Sequence, residues 1–185
     1  MNSKQYKTCS FFGHRNAELN DEQVEKLKST IEDLITKKNV KTFLFGSRSN
    51  FDSLCHKIVT ILKIKYPFII RKCYTCKNET CVLEKEKSYW EDIYSHIYKH
   101  KVELLCVEEE VEHKFKWSSG KASYVERNQA MINDSDYCIF YYTKDYQPYI
   151  RKHNKHSISY YQPNSGTALA FTYANQKSKN IINIS

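Results

Sequence analysis

The run Tyr137 to Tyr142, YCIFYY, constrains the fold of this chain more than any other segment. An almost uninterrupted apolar run does not suit a sheet with one wet face, where apolar and polar residues alternate. It suits a strand buried on both sides, in a parallel sheet covered by helices. Parallel strands need long crossover connections, and the sequence supplies them. Lys7 to Gly13 (KTCSFFG) reads as a first strand, and Asp21 to Lys37 follows with Val24, Leu27, Ile31, Leu34 and Ile35 at helical spacing. Val40 to Ser47 (VKTFLFGS) is a second strand. Phe51 to Lys65 then sets Leu54, Ile58, Ile61 and Leu62 on one helical face before Pro67 ends it. A third strand is expected at Phe68 to Cys73, a helix at Lys87 to His100, a fourth strand at Val102 to Val107 and a helix at Ala122 to Asp134. After YCIFYY comes a long loop at 144–164. Ser165 to Gln176 is a helix opened by Asn164, Ser165 and Gly166, and Ile181 to Ile184 is a closing strand. The alternation predicts an α/β fold: a doubly wound, mainly parallel sheet of about six strands with helices on both faces.

With 185 residues and no linker, repeat or low-complexity tail, residues 1–185 read as one domain. The 29 Lys and Arg against 21 Asp and Glu give a net charge of +8, which favours an anionic ligand or nucleic acid without choosing between them. No apolar run approaches the roughly 20 residues that cross a bilayer, and the N-terminus lacks the apolar core of a secretory signal, so a cytoplasmic protein with no membrane partner is expected. The seven cysteines are an odd number, and Cys9, Cys106 and Cys138 fall inside apolar runs, where thiols serve as small hydrophobes. Cys73, Cys76 and Cys81 form one CxxC with a third thiol in a polar stretch. A zinc site needs a fourth ligand and usually a second close pair, so no metal and no other cofactor is expected.

Ligands of doubly wound sheets bind beyond the carboxyl ends of the strands, and three of the four glycines fall there: Gly13 in FFGHR, Gly46 in FLFGSRSNFD and Gly166 in PNSGTA. Glycine lets a backbone approach a ligand, and the amides opening a helix favour phosphate, so Ser165, Gly166 and Thr167 form the best phosphate cradle in the chain, with a plain helix cap as the alternative. His14 and Arg15 follow the first strand; Ser47, Arg48, Ser49, Asn50 and Asp52 follow the second. Arg15 and Arg48 are candidate anion clamps, and Asp52 suits either a ribose hydroxyl or a helix cap. Tyr124, Arg127 and Asn128 share one face of the helix before YCIFYY. The loop at 144–164 interleaves Arg151, Lys152, His153, Lys155 and His156 with Tyr146, Tyr149, Tyr160 and Tyr161, a composition suited to a lid over a nucleotide or to a single strand of nucleic acid. The acidic run Glu108 to Glu112 reads as a solvated face.

The order FFGHR, FLFGSRSNFD, YVERNQAMI and YQPNSGTALAFTYA before a final strand resembles the SLOG superfamily, the Rossmann-like group that includes DprA and the LOG phosphoribohydrolases. It looks most like the small bacterial SLOG proteins related to YpsA and YoqJ, over residues 8–184. The resemblance implies nucleotide binding and homodimers. In LOG enzymes an Arg in an RxxxM-like helix segment and a Glu in PGGxGTxxE carry N-glycosidic cleavage of a nucleoside monophosphate. The Arg matches Arg127, with Met131 four residues on, whereas Ala170 stands where the Glu belongs. Without that carboxylate the site keeps phosphate binding and loses a main chemical group. Three functions follow as expectations. The first is binding of a nucleotide or nucleotide-derived ligand, as a sensor or regulator. The second is N-glycoside hydrolysis with Arg127 as the catalytic residue, and the third is DprA-like binding of single-stranded nucleic acid.

Overall fold

The structure is a computed structural model and describes residues 6–46, 49–75, 107–112, 121–146 and 165–185. In chain order the described elements are β1 (Lys7–Gly13), α1 (Asp21–Lys38), β2 (Val40–Phe45), α2 (Asn50–Lys65), β3 (Ile70–Thr75), β4 (Glu109–Glu112), α3 (Lys121–Asn133), β5 (Tyr137–Tyr141), α4 (Gly166–Gln176) and β6 (Asn180–Asn183). The strands form one six-stranded sheet in the order β4-β3-β2-β1-β5-β6, and every pair is parallel. This is the α/β, Rossmann-like, doubly wound architecture that the alternation predicts.

The period of two along the central strands divides the core. Phe11, Phe43, Phe45 and Ile139 join Leu27, Ile31, Phe51 and Val59 of α1 and α2 on one face. Their chain neighbours Phe12, Leu44, Cys138 and Phe140 join Met131, Ile132, Ala170 and Ala174 of α3 and α4 on the other. Three of the described helices start on a capping side chain. Asn20 and Gln23 form a reciprocal capping box at α1, and Asn39 ends it in the left-handed region at φ 61°. Ser49 and Ser165 cap α2 and α4 by accepting from Asp52 N and Ala168 N.

The fourth described strand is Glu109–Glu112, within the acidic run that reads as a solvated face. Its first member, Glu108, is drawn in by a fully buried arginine. Arg71 on β3 donates to Glu108 Oε1 at 2.8 Å and to Oε2 at 3.2 Å, while Arg71 N and Glu108 N complete the junction. Lys63 adds a second cation at 3.3 Å. Of the strand expected at Val102 to Val107, Val107 lies just outside β4 and the rest lies outside the described residues, as do the helix expected at 87–100 and residues 147–164 of the long loop. Cys73 sits fully buried on β3 rather than in a polar stretch; Cys76, Cys81 and Cys106 lie outside the described residues. Among the described residues, no helix is long and apolar enough to cross a membrane.

Candidate functional site

The strand order reverses beside β1. The chain builds outward from β1 to β4 on one side, then crosses to place β5 on the other, so the crevice of this sheet lies at the carboxyl ends of β1 and β5. Gly13 ends β1 in register with Tyr141 of β5. His14, the next residue, is 2% exposed, and its Nε2 accepts from the backbone N of Thr143 at 3.2 Å. The Tyr146 ring stacks on the imidazole at 3.7 Å between centroids and 13° between planes. Burial lowers the imidazole pKa below its ordinary value, so the ring is neutral at pH 7. A neutral ring accepting at Nε2 carries its proton on Nδ1, and that buried nitrogen has no hydrogen-bond partner among the described residues. His14 therefore enters the crevice as a neutral donor. Arg15 is exposed, and its carbonyl accepts from Asn50 N at 2.9 Å, which ties the β1 exit to the first turn of α2.

The three glycines at this edge prove to have three different physical reasons. A Cβ on Gly13 would stand 2.4 Å from Phe51 Cβ, so this glycine is where α2 packs against β1. A Cβ on Gly46 would stand 3.1 Å from the guanidinium of Arg127, while Gly46 N donates to Asp52 Oδ1 at 3.2 Å. Beside Gly166 nothing lies within 4 Å of the added atom among the described residues. The open glycine is the one that starts a helix.

Arg127 and Asp52 thus reach Gly46 from two helices that are distant in sequence. Arg127 is 5% exposed and its guanidinium carbon lies 5.2 Å from the centroid of the Tyr124 ring, one turn earlier on α3. Asp52 is 4% exposed, and as the third residue of α2 its backbone is capped by Ser49. Asn128 is half-buried on the same helix as Arg127. Thr167 is 7% exposed in the first turn of α4, where helix geometry leaves the Gly166 and Thr167 amides without intrahelical acceptors. Ser165 spends its hydroxyl on the cap. Ser47 and Arg48 lie outside the described residues. Ala170 packs with Phe12, Leu44 and Phe140, so a carboxylate at this position would be buried among apolar side chains.

Sequence reasoning passed over the β5 side of the crevice. Tyr142 stacks on Phe171 of α4 at 4.6 Å and stands 5.9 Å from His14, continuing an aromatic wall that Tyr146 begins. The signal was available: residues directly after a strand that borders the switch point must face the crevice.

A scan against protein-family models gives no match, and neither does a search of curated proteins. Among solved structures, the chain is similar to DNA processing protein A (DprA) from Streptococcus pneumoniae, with a TM-score of 0.50 and 10% identity, over 95% of this chain and 49% of that one. It is similar also to DNA processing protein A from Helicobacter pylori, described for its single-stranded DNA binding mode, with a TM-score of 0.50 and 15% identity, over 95% of this chain and 63% of that one. The chain therefore spans about half the length of the first and under two thirds of the second. At these identities the likeness shows the fold alone: a Rossmann-like α/β fold shared with DprA proteins.

Proposed function

We propose that this chain binds a nucleotide or nucleotide-derived ligand at the carboxyl edge of its sheet and acts as a sensor or regulator. One observation carries the reading. His14, Asp52, Arg127 and Thr167 are all buried, and all belong to the segments that border the crevice. Buried polar groups are expensive, and a fold concentrates them where something polar is to be recognised. In this reading the phosphate rests on the Gly166 and Thr167 amides, the charge of Arg127 faces it across the edge, and His14 Nδ1 offers a hydrogen bond to a ligand oxygen. The resemblance to YpsA- and YoqJ-related proteins, a cytoplasmic location and a homodimer belong to the same proposal. Thermal unfolding across nucleoside mono-, di- and triphosphates, cyclic nucleotides, NAD and ADP-ribose tests it. A ligand at 100 times its dissociation constant stabilises by about 2.7 kcal/mol. Gly166→Asp and Arg127→Ala abolish that shift if the site is here, and the absence of any shift defeats the proposal.

Two further readings keep a specific observation each. Single-stranded DNA binding is favoured by the DprA neighbours and by the +8 charge. Nucleoside-monophosphate N-glycosidase activity is favoured by the match of Arg127 to the LOG motif and disfavoured by Ala170 in its apolar pocket. Release of free base from a nucleoside monophosphate separates the last from the other two.

A further inference from the structure

The two outer strands of the sheet are built differently. β4 is Glu109-Glu110-Val111-Glu112, and carboxylates along an edge discourage a further strand from pairing there. β6, at the other end, is Asn180-Ile181-Ile182-Asn183 and holds no charge, proline or bulge. It pairs with β5 alone. Asn180 N donates to Asp136 O and Ile184 N to Phe140 O, so the even-numbered residues turn their backbone groups toward β5. The N–H and C=O of Ile181 and Asn183 therefore point out of the sheet, where they meet no partner among the described residues.

The polar side chains that could shield this edge bond back into their own chain. The Asn183 amide accepts from Tyr142 N at 3.1 Å and donates to Tyr142 O at 2.9 Å. Asn180 Nδ2 donates to Asp136 O at 3.0 Å, Ser185 Oγ to Tyr142 O at 2.8 Å, and Lys179 Nζ to Asn133 O at 3.0 Å. What faces outward is backbone, with half-buried Ile181 on one face of the sheet and half-buried Ile182 on the other. A foreign strand would be selected by outward charges or polar side chains, and this edge directs none at it. A second β6 fits group for group. Antiparallel about a two-fold axis normal to the sheet, Ile182 opposes the partner's Ile182 on the face covered by α1 and α2, a pair of β-branched residues in cross-strand contact. On either side of the axis Ile181 and the partner's Asn183 then exchange both N–H to O=C bonds.

We infer that β6 is a homodimer interface, at which two copies of this chain join antiparallel into one continuous sheet with Ile182 on the two-fold axis. The inference rests on the homodimer proposed above and gives it a surface, and it stands apart from the nucleotide site. The net charge of +8 on each copy opposes association, so the dimer tightens as salt screens that charge.

Sedimentation equilibrium and cysteine cross-linking of the full chain test the inference. The wild type dimerises, more tightly at about 300 mM salt than at about 50 mM. Ile182→Lys sets two ammonium groups against each other and weakens the dimer about 10-fold, whereas Ile182→Val stays near wild type. Ile182→Cys, oxidised with diamide, forms a disulfide-linked dimer beyond the wild-type level, because opposed residues of a non-hydrogen-bonded pair have Cα atoms about 4.5 Å apart. Asn180→Cys does not, since the same symmetry holds its two copies about 14 Å apart. A dimer that is unmoved by Ile182→Lys, or that cross-links through Asn180→Cys and not through Ile182→Cys, overturns this interface and leaves the homodimer standing. A monomer at every salt and protein concentration overturns both. Open-ended polymers, the mark of β6 pairing with β4 of the next copy, overturn the two-fold interface as well.

Discussion

The guanidinium of Arg127 lies 3.1 Å from the point where a side chain on Gly46 would begin. The contact joins α3 to the exit of β2 and explains both residues at once: the glycine makes room, and the arginine fills it with charge. Because Arg127 is buried, its head cannot swing into water to relieve a clash. Gly46→Ala is expected to cost about 1–2 kcal/mol. Urea unfolding of Gly46→Ala, Arg127→Ala and the double variant checks this, since a shared contact makes the double variant's cost fall short of the sum by at least about 0.5 kcal/mol. Additive costs would mean the two residues do not meet.

Gly13 and Gly166 are expected to behave oppositely. Alanine at Gly13 meets Phe51 at its Cβ, which only a shift of α2 can relieve, so the loss is about 2–3 kcal/mol. Alanine at Gly166 meets open space in the first turn of a helix, and stability stays level or rises by up to about 1 kcal/mol. If nucleotide binding nevertheless weakens in Gly166→Ala, the open space is where the ligand comes close.

Arg71 and Glu108 tie β4 to β3, and their ionisation sets an acid limit. Burial pushes the Glu108 carboxyl up, but the hydrogen bonds and charge of Arg71, with Lys63 behind it, hold the net value below the ordinary 4.5. Its contribution is therefore complete above pH 4.5 and is lost as the pH falls through the lowered value. Glu108→Gln removes this dependence. Arg71→Ala strands a partly buried carboxylate and costs about 3 kcal/mol at pH 7, while Arg71→Met, which restores the packed volume, costs less.

A second window lies higher on the pH scale. His56 is 3% exposed, its Nε2 is 3.4 Å from Thr60 Oγ1, and burial with the nearby Arg71 and Lys57 pushes its pKa down to about 3. The unfolded chain takes up a proton below about 6.5 and the folded chain does not, so stability falls between pH 6.5 and about 3. Burial at His14 acts in the same direction. Thermal unfolding from pH 7.5 down to 4.5 should show the decline, shallower in His56→Asn. A flat wild-type profile across that range would contradict the burial of both rings.

Three of the four described thiols, Cys9, Cys55 and Cys138, are expected to be inert while the chain is folded. Burial raises the pKa of Cys9 and Cys55 well above 9.0 and pushes Cys138 up to about 11, so little thiolate exists at pH 8. Mass spectrometry after iodoacetamide should find these three labelled only in denaturant.

Much of the sheet was legible because the signals are local. Apolar pairs such as Phe11-Phe12 and Phe43-Leu44 announce strands with two buried faces, and the 3.6-residue recurrence of Leu27, Ile31 and Leu34 announces α1. The fourth strand was not legible at Glu109–Glu112, because its sequence is acidic and its pairing depends on Lys72 and Arg71 across the ladder. In the candidate site, the glycines and Asp52 could be named from their positions at element ends, and Arg127 from the helix face it shares with Tyr124 and Asn128. Their separate roles could not.

The amino-acid order by itself determined the strands and helices other than the strand at Glu109–Glu112 among the described residues, that the strands run parallel, and that Gly13, Gly46 and Gly166 fall at one edge, since each follows from periodicity or from a residue's own backbone freedom. Tertiary structure alone decided that Gly13 serves Phe51, that Gly46 serves Arg127, that His14 is neutral beneath Tyr146, and that Lys41 lies between Tyr6 and Phe68. Each of these is a contact between residues far apart in the chain. Packing distance and burial set its energy, and neither exists until the sheet has closed.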